Sequence, residues 1–431
     1  MAAPPSTLLL FLFLFPLFSC AAAATKALDT VPANQTFKYV NQGEYGEYSN
    51  EYDATYRPML IGTSPFQLMW YNTTPNQYYV ALRMGTVRSE SVRRWVWEAN
   101  RGRPVGEGAT LTFAADGNLV LAEADGTVAW STNTANKGVV GLDVLANGNI
   151  VLYDRKRGFL WQSFEHHTDN LLVGQSLTLG KKLVSRRSLV DGSPGIYSFV
   201  AANGGPAMFV DASPKPLPYF NYSDLTLGYG QAKGAIKFEC SSTNGGVSYE
   251  LRLNGRVLAV TKYDSTLSFL RLEPDGDLAI YSYDDRVDYQ AWQMTFTLFS
   301  PDNYLSACYK PSKCGGLGLC DEEMCVGCPT AKGVTGWSRA GCAAPPRRGT
   351  CRAGGNSSSY YKVVGVESFL SRYTAGEGAV KVGECRRRCN MDCNCLGFLY
   401  WEETSQCWLA PVLGTLNKVS STSHVIYIKS S

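Results

Sequence analysis

The sequence predicts a mostly β chain of several domains, and three observations carry that reading. It has 431 residues with 42 Gly, 20 Pro and 25 Tyr, a mix that suits many short strands joined by tight turns. A hairpin-like segment built on Asp-Gly or Asn-Gly recurs along the chain. Twelve of the 14 Cys crowd between residues 308 and 407, so an apolar core must hold the first part and cross-links the last. The length corresponds to about three domains. Hydrophobic residues make up 45% and charged residues 18%, which excludes a disordered polyelectrolyte. The formal charge of +3, from 40 Lys+Arg against 37 Asp+Glu, excludes the dense basic face of a nucleic-acid binder.

Residues 8–18 are almost wholly apolar, interrupted only by Pro16, and Ala22-Ala23-Ala24 follows. That run is shorter than the ~20 residues a membrane-spanning helix needs. Residues 1–24 therefore read as a secretory signal peptide, although the stretch before the apolar run lacks Lys and Arg. No later run is long and apolar enough to span a bilayer, and residues 425–431 carry no lipid-anchor tail. The expectation is a secreted protein without a membrane anchor. Four Asn-X-Ser/Thr sequons, at Asn34, Asn72, Asn221 and Asn356, predict a glycoprotein.

The repeat begins with Asp116-Gly117-Asn118-Leu119-Val120-Leu121 and Trp130. A second copy is Asn147-Gly148-Asn149-Ile150-Val151-Leu152-Tyr153 with Trp161. A third is Asp275-Gly276-Asp277-Leu278-Ala279-Ile280-Tyr281 with Trp292. In each copy the Gly supplies a turn at positive φ, and an alternating strand follows. Upstream, residues 66–71 and 78–84 read as two strands, and 93–97 as a strand with Trp95 and Trp97 on one face. Trp97, Trp130 and Trp161 recur at intervals of 33 and 31, as expected if three similar sheets each send a Trp to a common axis. One helix is expected, over residues 383–390, with Cys385 and Cys389 on one face.

The Cys fall into two groups of six. Cys308, Cys314, Cys320, Cys325, Cys328 and Cys342 precede a linker at 343–349, and Cys351, Cys385, Cys389, Cys393, Cys395 and Cys407 follow it. Cys325-Val326-Gly327-Cys328 has the spacing of a zinc or redox motif, but the secretory context favours structural disulfides. Six Cys allow 15 pairings, so spacing leaves the connectivity open. Cys240 is left over, either as a buried free thiol or as an intermolecular bridge.

The repeats and the Cys signature carry a resemblance. Residues 40–170 resemble a bulb-type (mannose-binding) lectin domain, whose motif is Gln-x-Asp-x-Asn-x-Val-x-Tyr. Residues 175–302 resemble the second lectin-like region of plant S-locus glycoproteins, and 303–345 their EGF-like module. The run Cys385-Arg386-Arg387-Arg388-Cys389-Asn390-Met391-Asp392-Cys393-Asn394-Cys395 resembles the signature of a PAN/apple domain, placed at 351–429. This order of modules is similar to that of the plant epidermis-specific secreted glycoprotein family. The resemblance implies tandem β-prism domains, then an EGF-like module, then a small α+β apple domain. It also implies the pairs Cys308–Cys320, Cys314–Cys325, Cys328–Cys342, Cys385–Cys407, Cys389–Cys395 and Cys351–Cys393.

Residues two apart share a face of a strand, so an intact lectin motif aligns its polar groups against sugar hydroxyls and its Val against a sugar's apolar patch. This sequence departs from the motif in every copy. The first retains Asp116, Asn118 and Val120, with Ala114 and Ala122 in place of Gln and Tyr. The second retains Asn149, Val151 and Tyr153, with Leu145 and Asn147 in place of Gln and Asp. The third reads Glu273, Asp275, Asp277, Ala279 and Tyr281. The candidate carbohydrate-binding residues are Asp116, Asn118, Val120, Asn147, Asn149, Val151 and Tyr153, and the implied ligands are mannose-containing glycans. The alternative is an extracellular protein–protein interaction glycoprotein that has lost its sugar site and contacts partners through the apple domain.

Catalysis finds no support in the sequence. There is no Gly-x-Ser-x-Gly elbow, complete phosphate loop or His-Glu-x-x-His. Neighbours on a strand point to opposite faces, so His166 and His167 make a poor chelate, and neither metal nor cofactor is expected. Asp284-Asp285 sits in a turn-like polar run. The short basic clusters at Arg186-Arg187, Arg347-Arg348 and Arg386-Arg387-Arg388 read mostly as solvated faces, with polysaccharide contact as the lesser reading.

Overall fold

The computed structural model describes residues 29–47, 50–86, 92–203, 205–212, 214–221, 235–243, 248–253, 255–261, 267–284, 287, 291–303, 305–346 and 359–430. The expected signal peptide, Cys351, Asn356, Asp285 and the Arg347-Arg348 cluster lie outside these residues.

Alternating apolar positions and frequent turns give six antiparallel sheets over residues 37–297, in two sets of three. In the first set, Phe37–Val40 joins Thr110–Phe113, Leu119–Ala122 and Val128–Ser131. The second sheet runs Thr55–Thr63, Phe66–Thr74, Gln77–Met84 and Arg94–Glu98, and the third is Gly141–Val144, Ile150–Tyr153 and Phe159–Gln162. Each sheet sends one Trp to a common axis, and the second also buries Trp70 in the same core. Trp97, Trp130 and Trp161 meet edge to face with centroids 5.8–6.1 Å apart, the geometry aromatic quadrupoles favour. The Trp97 indole N–H donates to the His166 carbonyl at 2.8 Å, so its polar edge is satisfied. The expected strands and the three-Trp axis are present, with ends shifted by up to three residues. A bulge opposite Leu82 and Arg83, however, turns Trp95 to the other face from Trp97, against the expectation that the two share one.

The second set repeats the plan. One of its sheets does more than close a prism. It joins Asn170–Leu172, Ser268–Leu272, Leu278–Tyr283 and Trp292–Thr297. All five residues of Ser268–Leu272 are buried, because both faces are covered. Leu171, Leu270, Leu272 and Ile280 belong to the core of the second set and of the C-terminal part. Their neighbours Leu172, Phe269, Tyr283 and Trp292 belong to the core of the first set. Period-two alternation thus makes one sheet a wall shared by two cores.

Two buried ion clusters cross the same seam. Arg271 donates to Glu51 at 2.5 and 3.1 Å, to Asn170 Oδ1 at 2.8 Å and to the Trp95 carbonyl at 2.7 Å. Arg94 adds a 2.7 Å contact to the same carboxylate. Arg186 donates to Glu98 at 2.6 Å and to the Tyr71 hydroxyl at 2.8 Å. The Tyr52 ring faces both guanidiniums, at 4.4 Å from Arg186 and 5.8 Å from Arg271. Arg186 therefore corrects the expectation of a solvated basic cluster: it is 2% exposed, while its neighbour Arg187 faces solvent.

In the Cys-rich part, the bonds Cys308–Cys320, Cys314–Cys325, Cys328–Cys342, Cys385–Cys407 and Cys389–Cys395 form as the resemblance implies. Cys393 is disulfide-bonded too. The expected helix spans Val382–Met391, with Cys385 and Cys389 buried along one face. A second short helix, Phe369–Tyr373, was not expected. Ser368 caps it by accepting from the Leu370 N–H at 3.2 Å, and Phe369 and Leu370 are buried in the core of the second set. Leu317–Asp321 pairs in parallel with Gly414–Lys418, so one sheet knits the two Cys groups together. Cys240 is a half-buried free thiol on Ile236–Thr243, and burial pushes its pKa up.

Removing one partner of a buried ion pair strands the other in low dielectric. Arg271→Ala should therefore cost about 3–5 kcal/mol, read as a drop in the denaturant midpoint. Burial pushes the Glu51 carboxyl up, but Arg271 and Arg94 outweigh it and hold it below the usual 4.5. Its contribution to stability is thus present above pH 4.5 and lost as pH falls through the lower folded value. The variant should lose that acid-side dependence as well.

Candidate carbohydrate-binding site

The three motif copies share one local construction. At the turn, the Oδ1 of Asp116, Asn147 and Asp275 accepts the backbone N–H two residues on, at 3.0–3.1 Å. The intervening Gly117, Gly148 and Gly276 have φ near +80, and a Cβ on any of them would lie within 3 Å of a core side chain. Two positions later the motif residue turns inward. Asn118 Oδ1 accepts from the Thr132 hydroxyl and the Thr134 N–H, both at 3.0 Å. Asn149 Oδ1 accepts from the Phe164 N–H at 3.2 Å, and its amide donates to Gln162 at 2.8 Å. Asp277 Oδ1 accepts from the Phe299 N–H at 3.2 Å. In each copy the side-chain oxygen of this residue pins the segment that follows its hairpin.

This bears on the residues named from sequence. Asn149 and Val151 are 4% and 1% exposed, and both ends of the Asn149 side-chain amide are engaged. Asp116, Asn118 and Val120 are partly exposed on a different sheet, so the two copies do not form one site. Tyr153 lies under the Arg157 guanidinium at 4.2 Å and lines a groove of about 350 Å³ with Gln35, Asp143 and Leu60, a lining that does not include Asn149 or Val151.

The copy left out of the sequence-derived site lines a cavity with its whole motif. Glu273, Asp275, Asp277, Ala279 and Tyr281 all face a groove of about 530 Å³. The signal was present in the sequence as the same period-two polar face. Tyr281 donates to Glu273 at 3.0 Å. Burial, opposed by the Arg271 charge, pushes the Glu273 carboxyl up to about 7. Lys310, just after the Ala307–Tyr309 turn held by Cys308–Cys320, donates to Asp275 at 2.6 Å and Asp277 at 3.0 Å. Burial works against the Lys310 charge, yet the two aspartates raise its pKa.

The histidines have structural partners. His166 stacks on Trp161 at 5.0 Å, and a His167 ring nitrogen bonds the Ser176 carbonyl at 2.9 Å. Burial lowers the pKa of both. His424 stacks on Trp401 between Glu367 and Glu403, at 2.7 and 2.8 Å. Among the described residues, no group of three or more His, Cys, Asp or Glu is placed to hold a metal ion. No helix among them is long and apolar enough to cross a membrane.

The raised Glu273 value gives a pH signature. The folded chain keeps this proton to about pH 7, whereas the unfolded chain releases it near 4.5. Its contribution to stability is full below pH 4.5 and lost as pH rises through 7. Glu273→Gln should remove that fall, so the midpoint difference between variant and parent should grow in the variant's favour from pH 4.5 to 7.5.

Residues 94–191 match the model of the D-mannose binding lectin family. The chain is 44% identical to EP1-like glycoprotein 2 of Arabidopsis thaliana over 97% of its own length and 99% of that protein. It is 48% identical to the epidermis-specific secreted glycoprotein EP1 of Daucus carota, covering 74% of this chain and 90% of that one. A G-type lectin S-receptor-like serine/threonine-protein kinase of Arabidopsis thaliana, SD2-2, is 24% identical over 79% of this chain and 43% of its own. Coverage at this identity, together with the lectin fold and its repeated hairpins, shows that the chain belongs to the EP1-like family of epidermis-specific secreted glycoproteins.

Proposed function

We propose that this secreted lectin-like glycoprotein is a non-enzymatic carbohydrate binder of the extracellular space or cell wall, and that its sugar site is the groove of the third motif copy. The supporting observation is that all five motif positions, 273 to 281 in steps of two, line one cavity there. The expected class is a mannose-type hexose. Glu273 and the Tyr281 hydroxyl meet its hydroxyls, and the exposed Met294 offers apolar surface to its C–H face. A millimolar monosaccharide site is worth only ~4 kcal/mol. A hydrogen bond to a charged group contributes ~1.5–3 kcal/mol, so two or three polar partners suffice.

One observation favours the second reading, an interaction protein without sugar binding. Lys310 already takes an oxygen of both Asp275 and Asp277. In that reading the two Cys-rich segments, taken as EGF-like and PAN/apple modules, contact other extracellular proteins. On either reading, glycans are expected at the exposed Asn34 and at Asn221. None is expected at Asn72, which is 6% exposed with its amide bonded to the Thr74 carbonyl.

Retention on a high-mannose glycoprotein column tests the proposal. Tyr281→Phe with Glu273→Gln should lower retention about ten-fold, the loss of roughly 1.4 kcal/mol. Asn149→Ala with Tyr153→Ala should leave it unchanged. No retention of the parent protein, or equal retention of all three proteins, selects the interaction reading.

A further inference from the structure

We infer that the groove reads an acidic oligosaccharide, with the carboxylate of one sugar held by Arg187 and Arg339 beside the hexose at Glu273 and Tyr281. This rests on the carbohydrate reading just proposed and adds a substrate class to it. A groove of about 530 Å³ falls within the range of small-molecule sites, roughly 300–1,000 Å³, and extends past the motif strand. Two solvent-facing guanidiniums line the part that the motif does not.

Arg339 comes from the Cys-rich part, in the loop that Cys328–Cys342 closes. Its guanidinium makes no ion pair among the described residues, and its charge acts on the buried Tyr197 hydroxyl. Arg187 comes from the second prism. It donates to Ser193 Oγ at 3.0 Å and makes only an exposed 3.5 Å pair with Asp191. Surface pairs of that kind are worth at most about 1 kcal/mol and yield readily to a better-placed carboxylate.

The acids of the motif do not repel such a ligand as strongly as their number implies. Lys310 sits on both Asp275 and Asp277, so that pair carries one net negative charge. Burial outweighs the Arg271 charge and the Tyr281 hydrogen bond, so Glu273 retains a proton into the neutral range. With Glu273 neutral, three cations face two anions. Leu189 and Met294 are exposed on the same groove and offer apolar surface to the C–H faces of a sugar chain. Guanidinium groups match carboxylate geometry, which an ammonium does not.

Calorimetric titration with three probes tests this: trigalacturonic acid, its fully methyl-esterified form, and mannotriose. At low salt the acid should bind at least ten-fold more tightly than its ester, and the gap should shrink as salt is raised. Arg187→Gln with Arg339→Gln should abolish that gap while leaving mannotriose affinity unchanged. Both residues are exposed, so the variant should keep the parent's melting temperature. A sulfated trisaccharide binding as well as the uronate would assign the arginines to anionic sugars generally and still support the inference. Equal affinity for acid and ester, or an undiminished gap in the arginine variant, would overturn it and leave the hexose site standing. Failure of all the probes to bind would overturn both.

Discussion

The structure depends on one sheet being apolar on both faces. Ser268–Leu272 and Leu278–Tyr283 present Leu270, Leu272 and Ile280 to one core and Phe269 and Tyr283 to the other. Such a wall cannot be left half exposed, so neither prism is complete without its neighbour. Arg271 lies in the same strand and reaches across to Glu51, whose carboxylate also accepts from the Trp95 N–H. The apolar wall supplies non-directional burial, and the guanidinium, with bonds to Glu51, Asn170 and the Trp95 carbonyl, supplies register. Breaking the apolar wall costs area, whereas breaking the ion pair leaves a buried charge. The second is the more specific constraint on how the two prisms meet.

A local constraint of the same polar kind acts at each motif copy. A short side chain with an acceptor oxygen, two residues after an Asx turn, can reach back-lying N–H groups of the next segment. Asn118, Asn149 and Asp277 each do so, toward Thr134, Phe164 and Phe299. Replacing any of them with an apolar residue would strand a buried donor, at about 1–3 kcal/mol. Folding alone is a sufficient reason for the Asp-x-Asn pattern, so its presence in a copy is by itself weak evidence of a binding site. The number of motif positions that share one cavity discriminates better. Glu273, Asp275, Asp277, Ala279 and Tyr281 line one groove, whereas Tyr153 lines another without Asn149 or Val151.

The prisms were legible in the sequence because their signals are local and periodic. Gly117, Gly148 and Gly276 mark turns, alternation marks strands, and the spacing of Trp97, Trp130 and Trp161 marks three equivalent sheets. The helix at Val382–Met391 was legible from two Cys four apart. Long-range polar contacts left no such trace. Nothing near Arg186 in the chain distinguishes it from Arg187, yet one is enclosed by Glu98, Tyr71 and Tyr52 and the other faces water. Asn72 satisfies a glycosylation sequon and sits inside a sheet, a conflict only the fold reveals. The short helix Phe369–Tyr373 has no periodic stripe of its own and is held by packing against the second prism.

The groove at the third copy is assembled from three separate stretches of chain. Its floor is Glu273 to Tyr281, Arg187 comes from the turn after Lys182–Arg186, and Arg339 comes from the Cys-rich part. Lys310 ties the last of these to the first through Asp275 and Asp277. A motif strand fixes where polar groups lie along one line, but it cannot fix what stands opposite. That depends on the Cys308–Cys320 and Cys328–Cys342 bonds holding the Cys-rich part in place. The charge of the groove is thus a property of the neighbouring segment as much as of the lectin motif. Relatives that share the motif while differing at positions equivalent to Lys310 and Arg339 would share the fold and differ in what the groove attracts.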